Sequence, residues 1–355
     1  MPIDLDDLRA VRALDSAGAF EETARYADQF REGRALMDAV DGPLGDPPRE
    51  VMILGTGGGS AAAAKLLAAA VTRRCSVAIQ LNQGYEIPAH VGPETFVIAV
   101  SHSGTTEEIL SAYEEALARG CRSVVLTSGG GLKEVAEVHG APVISVPGGQ
   151  MPRIVLGYLI VPLLGLLERL GLIEHDAAEF ADLLEVLAEG PSRFGPDVPL
   201  DRNPAKSLAL ELSGKTPVVY GLNPVTSAAA DRWKRQFGEN SKVMAFANAF
   251  PDAHHDEAVG WDQEAEALKR FSFVVLSDER ADPRLLRRVS ASREVLTERG
   301  AAVEVVEARG HGTLGRLFSL VQHGDYVTLY LALCRGIDPT PVPVIDHFKS
   351  VLAKA

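Results

Sequence analysis

Cysteine is scarce in this chain. Cys75, Cys121 and Cys334 stand far apart in 355 residues, and no Cys-x-x-Cys pair occurs. Neither a disulfide framework nor a zinc ribbon can be built from that set. Basic charge is thin as well: 35 Lys and Arg face 48 Asp and Glu, for a formal net charge of −13. With no basic stripe to offset it, that balance argues against a nucleic-acid surface, although one local positive site can still hold an anionic metabolite. Long hydrophobic runs are missing too. The longest, from Ile154 to Leu167, is interrupted by Gly157 and Pro162 and stops at Glu168. It is too short for a bilayer span and suits a buried helix. The first ten residues, MPIDLDDLRA, are acidic and polar, unlike a signal peptide. A cytoplasmic protein with no membrane partner is expected.

What is present is an alternation. Residues 5–40 carry apolar side chains at helical spacing. From Val51 short apolar runs begin: Val51–Leu54, Ser76–Leu81, Phe96–Val100 and Ser123–Thr127. An Ala-rich helix reaching about Val71 and a helix from Thr106 to about Arg119 lie between them. Strands alternating with helices predict a parallel sheet covered on both faces. An apolar helix near 154–171 and an acidic amphipathic helix near 174–189 follow. Gly190, Pro191, Gly195, Pro196, Pro199 and Pro204 then mark 190–204 as a boundary. Beyond it the alternation resumes, with strands at Pro217–Gly221, Phe271–Leu276 and Ala302–Val306, a helix ending near Phe237 and a long helix from Leu314 to Arg335. The expected architecture is α/β, with two doubly wound parallel-sheet domains of similar design. The expected partition is a helical segment over 1–50 packed on the first domain, that domain over 51–190, a linker over 191–204 and the second domain over 205–355.

Within that frame, Val97–Val100 feeds into Ser101-His102-Ser103-Gly104-Thr105-Thr106-Glu107-Glu108. Thr105 and Glu108 have the spacing of a capping box, so a helix should begin there. Unpaired N–H donors at a helix start, ringed by Ser101, Ser103, Thr105 and Thr106, suit a phosphate monoester. A polar turn that only caps its helix has the same composition. The loop Gly55-Thr56-Gly57-Gly58-Gly59-Ser60 first suggests a dinucleotide. Ser60 stands where the third glycine is needed, and Leu81, Asn82 and Gln83 replace the expected acidic residue. Close approach of a sugar phosphate to bare backbone, with Ser60 as donor, fits better. His254, His255, Asp256 and Glu257 invite a metal. Neighbouring histidines in an extended segment face opposite ways, and no HxH or HxxxH spacing helps, so no metal is expected.

Ser-x-Ser-Gly-x-Thr-x-Glu at 101–108 resembles the signature of sugar isomerase (SIS) domains. Tyr220–Lys242, Glu239-Asn240-Ser241-Lys242, Phe250-Pro251 through His255, and Val259-Gly260-Trp261 resemble the bifunctional phosphoglucose/phosphomannose isomerases. Pro152-Arg153 with Leu156-Gly157-Tyr158, Gly324–Val327, Arg335–Pro341 and Ile345–Lys349 extend the likeness from about residue 51 to the end. The resemblance implies two SIS domains and phosphate binding by Ser60, Ser101, Ser103 and Thr106, with Gly58, Gly59 and Thr105 beside them. It implies Glu239 as the base moving a proton between C1 and C2, and Arg153 as the cation beside the enediolate. It implies ring opening by His255, reaching across a homodimer, with Lys349 assisting. The chain departs from the family pattern at Thr105 and His254, where Asn is usual, and in a glycine loop one residue longer.

Aldose–ketose isomerisation itself asks for one partly desolvated carboxylate beside C1–C2, a cation at the developing oxyanion and an acid/base pair at the ring oxygen. Glu, Arg, His and Lys supply those types with no cofactor. The expected function is interconversion of glucose 6-phosphate or mannose 6-phosphate with fructose 6-phosphate. A non-catalytic phosphosugar-binding regulator and an isomerase of another phosphosugar stand as the alternatives.

Overall fold

The computed structural model of the chain describes residues 3–40, 42–262 and 265–352. Three short helices open it: α1 (Leu8–Leu14), α2 (Ala19–Ala24) and α3 (Tyr26–Ala35). The first α/β unit follows, with β1 (Glu50–Leu54), α4 (Ala62–Val71), β2 (Ala78–Asn82), β3 (Thr95–Val100), α5 (Glu107–Ala118), β4 (Arg122–Thr127), α6 (Gly130–Val138) and β5 (Val143–Ser145). Helices α7 (Leu156–Arg169), α8 (Ala177–Phe194) and α9 (Pro204–Leu212) connect it to β6 (Thr216–Gly221) and α10 (Pro224–Glu239). The chain closes with β7 (Phe246–Ala249), α11 (Ala265–Leu268), β8 (Phe271–Ser277), α12 (Pro283–Glu298), β9 (Ala302–Glu307), α13 (Thr313–Cys334) and α14 (Pro343–Leu352).

The strands form two parallel sheets, in the orders β2-β1-β3-β4-β5 and β7-β6-β8-β9. Every residue of β3 is buried, as expected of a strand covered by helices on both faces. The expected pair of helix-flanked parallel sheets is therefore what the chain forms. Strands β5 and β7, three and four residues long, escape a search for apolar runs. Strand β7 reads Phe-Ala-Asn-Ala, and its identity comes from pairing Val218–Gly221 with Phe246–Ala249.

The proline-rich stretch is more ordered than its composition suggests. Helix α8 continues through Pro191 to Phe194, and Leu200–Arg202 forms a 3₁₀ turn. Asn203 caps α9, accepting from the amides of Ala205 and Lys206. Helix α13 is buried along almost its whole length, as a helix apolar on all sides must be, and packs against α8, α9 and α10. The N-terminal helices also reach it. α3 lies on α7 and α8 while α2 touches α13, so the opening segment bridges parts of the chain on both sides of the proline-rich stretch. No described helix is long and apolar enough to cross a membrane.

Candidate active site

In the first sheet, β1 and β3 are neighbours, with Leu54 beside Ala99. Their connections leave in opposite directions, one toward β2 and the other toward β4. Such a reversal opens a crevice beyond the carboxyl ends of the two strands, where ligands of doubly wound sheets bind. The glycine loop leaves β1 there and Ser101–Thr106 leaves β3 there. The second sheet has the same reversal between β6 and β8, but its crevice is filled from within. Asn223 donates to Asp278 at 3.3 Å, and the Asp278–Arg316 ion pair, nearly buried, closes it at 3.2 Å. Among the described residues, no ion pair joins the glycine loop to Ser101–Thr106 in the first sheet.

The hydroxyls at 101–106 bond to one another rather than capping the helix. Ser101 Oγ lies 2.9 Å from Thr106 Oγ1 and accepts from the Gly104 amide at 3.1 Å. Thr105 Oγ1 donates to Ser103 Oγ at 3.1 Å. Helix α5 starts at Glu107, and its N-cap, Thr106, makes no side-chain cap bond. The expected Thr105–Glu108 capping box does not form, because both threonine hydroxyls are turned into the loop. A capping box forms instead at Asn223 and Thr226 of α10. Gly104 holds φ at +66°, and a Cβ there would stand 1.7 Å from the Gly129 carbonyl oxygen; no other residue fits that turn. His102 is buried, its Nε2 2.9 Å from the Pro147 carbonyl, and burial lowers its pKa.

Glu239 ends α10, and its carboxylate lies over the glycine loop: a Cβ on Gly58 would stand 1.9 Å from Oε1. Arg153 Nη1 meets the same carboxylate at 3.5 Å, with the guanidinium 3% and the carboxylate 22% exposed. Arg153 Nε donates to Asn240 Oδ1 at 2.8 Å, and Nη2 donates to the carbonyls of Pro339 and Thr340 at 3.0 and 2.7 Å. Burial lowers the Arg153 pKa, opposed by the charge of Glu239. Lys242 folds back over the helix end in the left-handed region, φ +53°, and donates to the carbonyls of Glu239 and Pro339 at 2.6 and 2.9 Å. Burial, with Arg153 nearby, pushes its pKa down to about 8. Asn240 and Ser241 are anchored on α13 through Thr328 at 2.9 and 2.6 Å. A carboxylate that is mostly but not wholly buried, facing a fixed guanidinium, is equipped to take a proton from carbon while charge develops on oxygen.

The structure thus brings Glu239, Arg153, Gly58 and Gly59 together, with Gly59 packed on Pro152 and Ser60 buried in the same loop. It leaves His255 and Lys349 exposed, and among the described residues neither side chain bonds to Glu239 or Arg153. His254 is engaged elsewhere, with ring nitrogens 2.7 Å from Ser292 Oγ and 2.9 Å from Arg288 Nη1. Three neighbours of the pair carried no role in the sequence reading: Asn240, Lys242 and Arg232. Lys242 follows Glu239 by three residues, but its return over the helix end depends on a backbone angle that no local pattern announces.

The bacterial phosphoglucose isomerase C-terminal SIS domain matches residues 201–352. A bifunctional phosphoglucose/phosphomannose isomerase of Caldicellulosiruptor bescii is 41% identical over 284 residues, 80% of this chain and 84% of that protein. The corresponding protein of Aquifex aeolicus is 34% identical over 76% of this chain and 80% of its own. A hypothetical protein of Thermus thermophilus shares the fold with a TM-score of 0.76 at 19% identity, covering 98% of this chain and 93% of that one. This chain belongs to the bifunctional phosphoglucose/phosphomannose isomerase family.

Proposed function

We propose that the protein interconverts glucose 6-phosphate and mannose 6-phosphate with fructose 6-phosphate, as a cytosolic homodimer. The observation that carries this reading is the Arg153–Glu239 pair lying over the glycine loop that leaves β1. The phosphate is held by Ser60, Ser101, Ser103 and Thr106, with Gly58, Gly59 and Thr105 letting it approach the backbone. Glu239 removes the proton from C2 of the open-chain aldose. The C–H electron pair becomes the C1–C2 double bond, and the carbonyl pair moves onto O1. Arg153 stabilises that oxyanion; O1 then takes up the proton that O2 gives up, and Glu239 returns its proton to C1 as C2 becomes the carbonyl of the ketose. His255, contributed by the second subunit, and Lys349 serve the ring oxygen. The exposure of His255 and of all of α14 supports a site completed by another copy.

The test is turnover of a panel of hexose, pentose and heptose phosphates by the purified protein, wild type and Glu239→Gln. The hexose 6-phosphates should turn over, and the variant should lose about 10²–10⁴-fold in kcat. Saturable binding with no turnover on any sugar phosphate would assign the protein to a regulatory role. A variant with near wild-type kcat would remove Glu239 as the base.

A further inference from the structure

Arg232 is fully buried at the heart of the molecule, on the same face of α10 as Glu239. Two of its donors meet the carboxylate of Asp325, from Nε at 3.2 Å and Nη2 at 3.0 Å. Others leave the ion pair for two backbone carbonyls. Nη1 donates to Gly58 at 2.7 Å and Nη2 to Arg153 at 2.5 Å. Those are the glycine against which the Glu239 carboxylate rests and the residue that carries the facing guanidinium. One turn on, Arg235 donates to the Gly57 carbonyl at 3.2 Å and is itself held by Asp231 at 2.7 Å. Positions 232, 235 and 239 follow i, i+3 and i+7, so a single helix stripe grips the glycine loop and presents the carboxylate to it. Tyr26 completes the set by donating to Asp325 Oδ2 at 2.5 Å.

We propose that Arg232 is a positioning residue for the isomerisation, fixing the glycine loop and the Arg153 segment in one frame and so setting the spacing between Glu239 and the Arg153 guanidinium. The inference rests on the reading of those two residues given above. Stability alone does not ask for a buried ion pair, since apolar residues of similar volume serve it as well or better. A planar guanidinium, however, can reach a carboxylate and two carbonyls at once. A lysine presents a compact point charge and cannot span that geometry.

The experiment compares wild type with Arg232→Lys and Tyr26→Phe as full-length proteins. It measures kcat and KM, affinity for sorbitol 6-phosphate and for 5-phosphoarabinonate, whose planar carboxylate mimics the enediolate, and amide exchange. Arg232→Lys should lower kcat about 100-fold, the scale of an ångström-level misplacement, with KM and sorbitol 6-phosphate affinity within about threefold. Binding of 5-phosphoarabinonate should weaken in parallel with kcat. Exchange should accelerate at residues 56–61 and 151–155 while the centre of α13 keeps its protection. Tyr26→Phe should show the same pattern at smaller amplitude, and it decides the matter if the lysine variant does not fold. A folded variant with kcat within about threefold of wild type, or a uniform loss of protection, overturns the proposal. If the wild type isomerises no hexose 6-phosphate, the functional reading fails by itself. The exchange pattern still decides whether Arg232 fixes the two segments in one frame: faster exchange confined to them upholds that part, and unchanged or general exchange rejects it.

Discussion

At the scale of single residues, the site depends on close approach. The carboxylate of Glu239 occupies the space a side chain on Gly58 would need, with Oε1 at 1.9 Å and the carboxyl carbon at 2.8 Å from a Cβ placed there. Gly58→Ala should therefore push the carboxylate out of line with Arg153 and lower kcat about 10²-fold. The partly exposed carboxylate can swing away without disturbing the core, so the melting temperature should hardly move. Turnover and thermal melts of the purified variant check both halves. Full activity would mean that the contact between Glu239 and the loop is incidental. Arg153 depends on neighbours in a different way. Three of its four partners belong to backbone or amide groups at Asn240, Pro339 and Thr340, which orient it without competing for its charge.

Among the elements, apolar patterning located almost every long one. The boundaries of β1, β3, β4, β6, β8, β9 and α13 differ by a residue or two from where the runs begin and end. Buried strands and helices advertise themselves through unbroken apolar stretches. The capping box at Thr105 did not carry over, since hydroxyls three residues from a Glu can bond within their own loop as readily as to the helix. Glu239 and Arg153 stood out through the family resemblance, whereas nothing in the sequence singled out Arg232. Its burial comes with the packing of α10 against α13, whose Asp325 pairs with it, an arrangement no spacing in α10 encodes. Helix α14 is the opposite case. None of its residues is buried, and Val344, Phe348, Val351 and Leu352 are each at least half exposed. Ending the chain before Pro343 should leave the melting temperature of the remainder within a few degrees. Activity should drop at least about tenfold if Lys349 serves the ring oxygen. Calorimetry and turnover of the shortened protein measure the two effects, and Lys349→Ala separates loss of the amine from loss of the helix. Undiminished activity in both would remove Lys349 from the site.

For the molecule as a whole, two expectations follow. If His255 completes the site of the other subunit, Glu239→Gln and His255→Ala proteins should each be inactive. Exchanged one to one, they should recover about a quarter of wild-type activity, because half the dimers are mixed and each has one intact site. No recovery after verified subunit exchange would place His255 outside a shared site. The second expectation concerns acid. His323 stacks on Phe194 at 4.5 Å and meets Trp233 edge-on, its Nε2 without a partner, and burial holds its pKa down at about 3. The unfolded chain takes up that proton near pH 6.5, so the native state loses stability as pH falls from that value toward 3. Between pH 7 and pH 5 this one group should cost about 2 kcal/mol, and His323→Phe should flatten that part of the stability profile. Denaturant melts at the two pH values provide the comparison, and equal slopes in both proteins would rule the effect out.

The contacts that frame the site also fix when it can exist. Tyr26 meets Asp325 across 299 positions of chain, and Arg153 reaches Pro339 across 186. A growing chain that has just passed β9 already contains Glu239, Arg153 and Arg232, but the carboxylate that balances Arg232 and the carbonyls that aim Arg153 have not been made. Contacts of such separation form late. A nascent chain that stalls before residue 325 therefore holds Glu239, Arg153 and Arg232 without the partners that orient them.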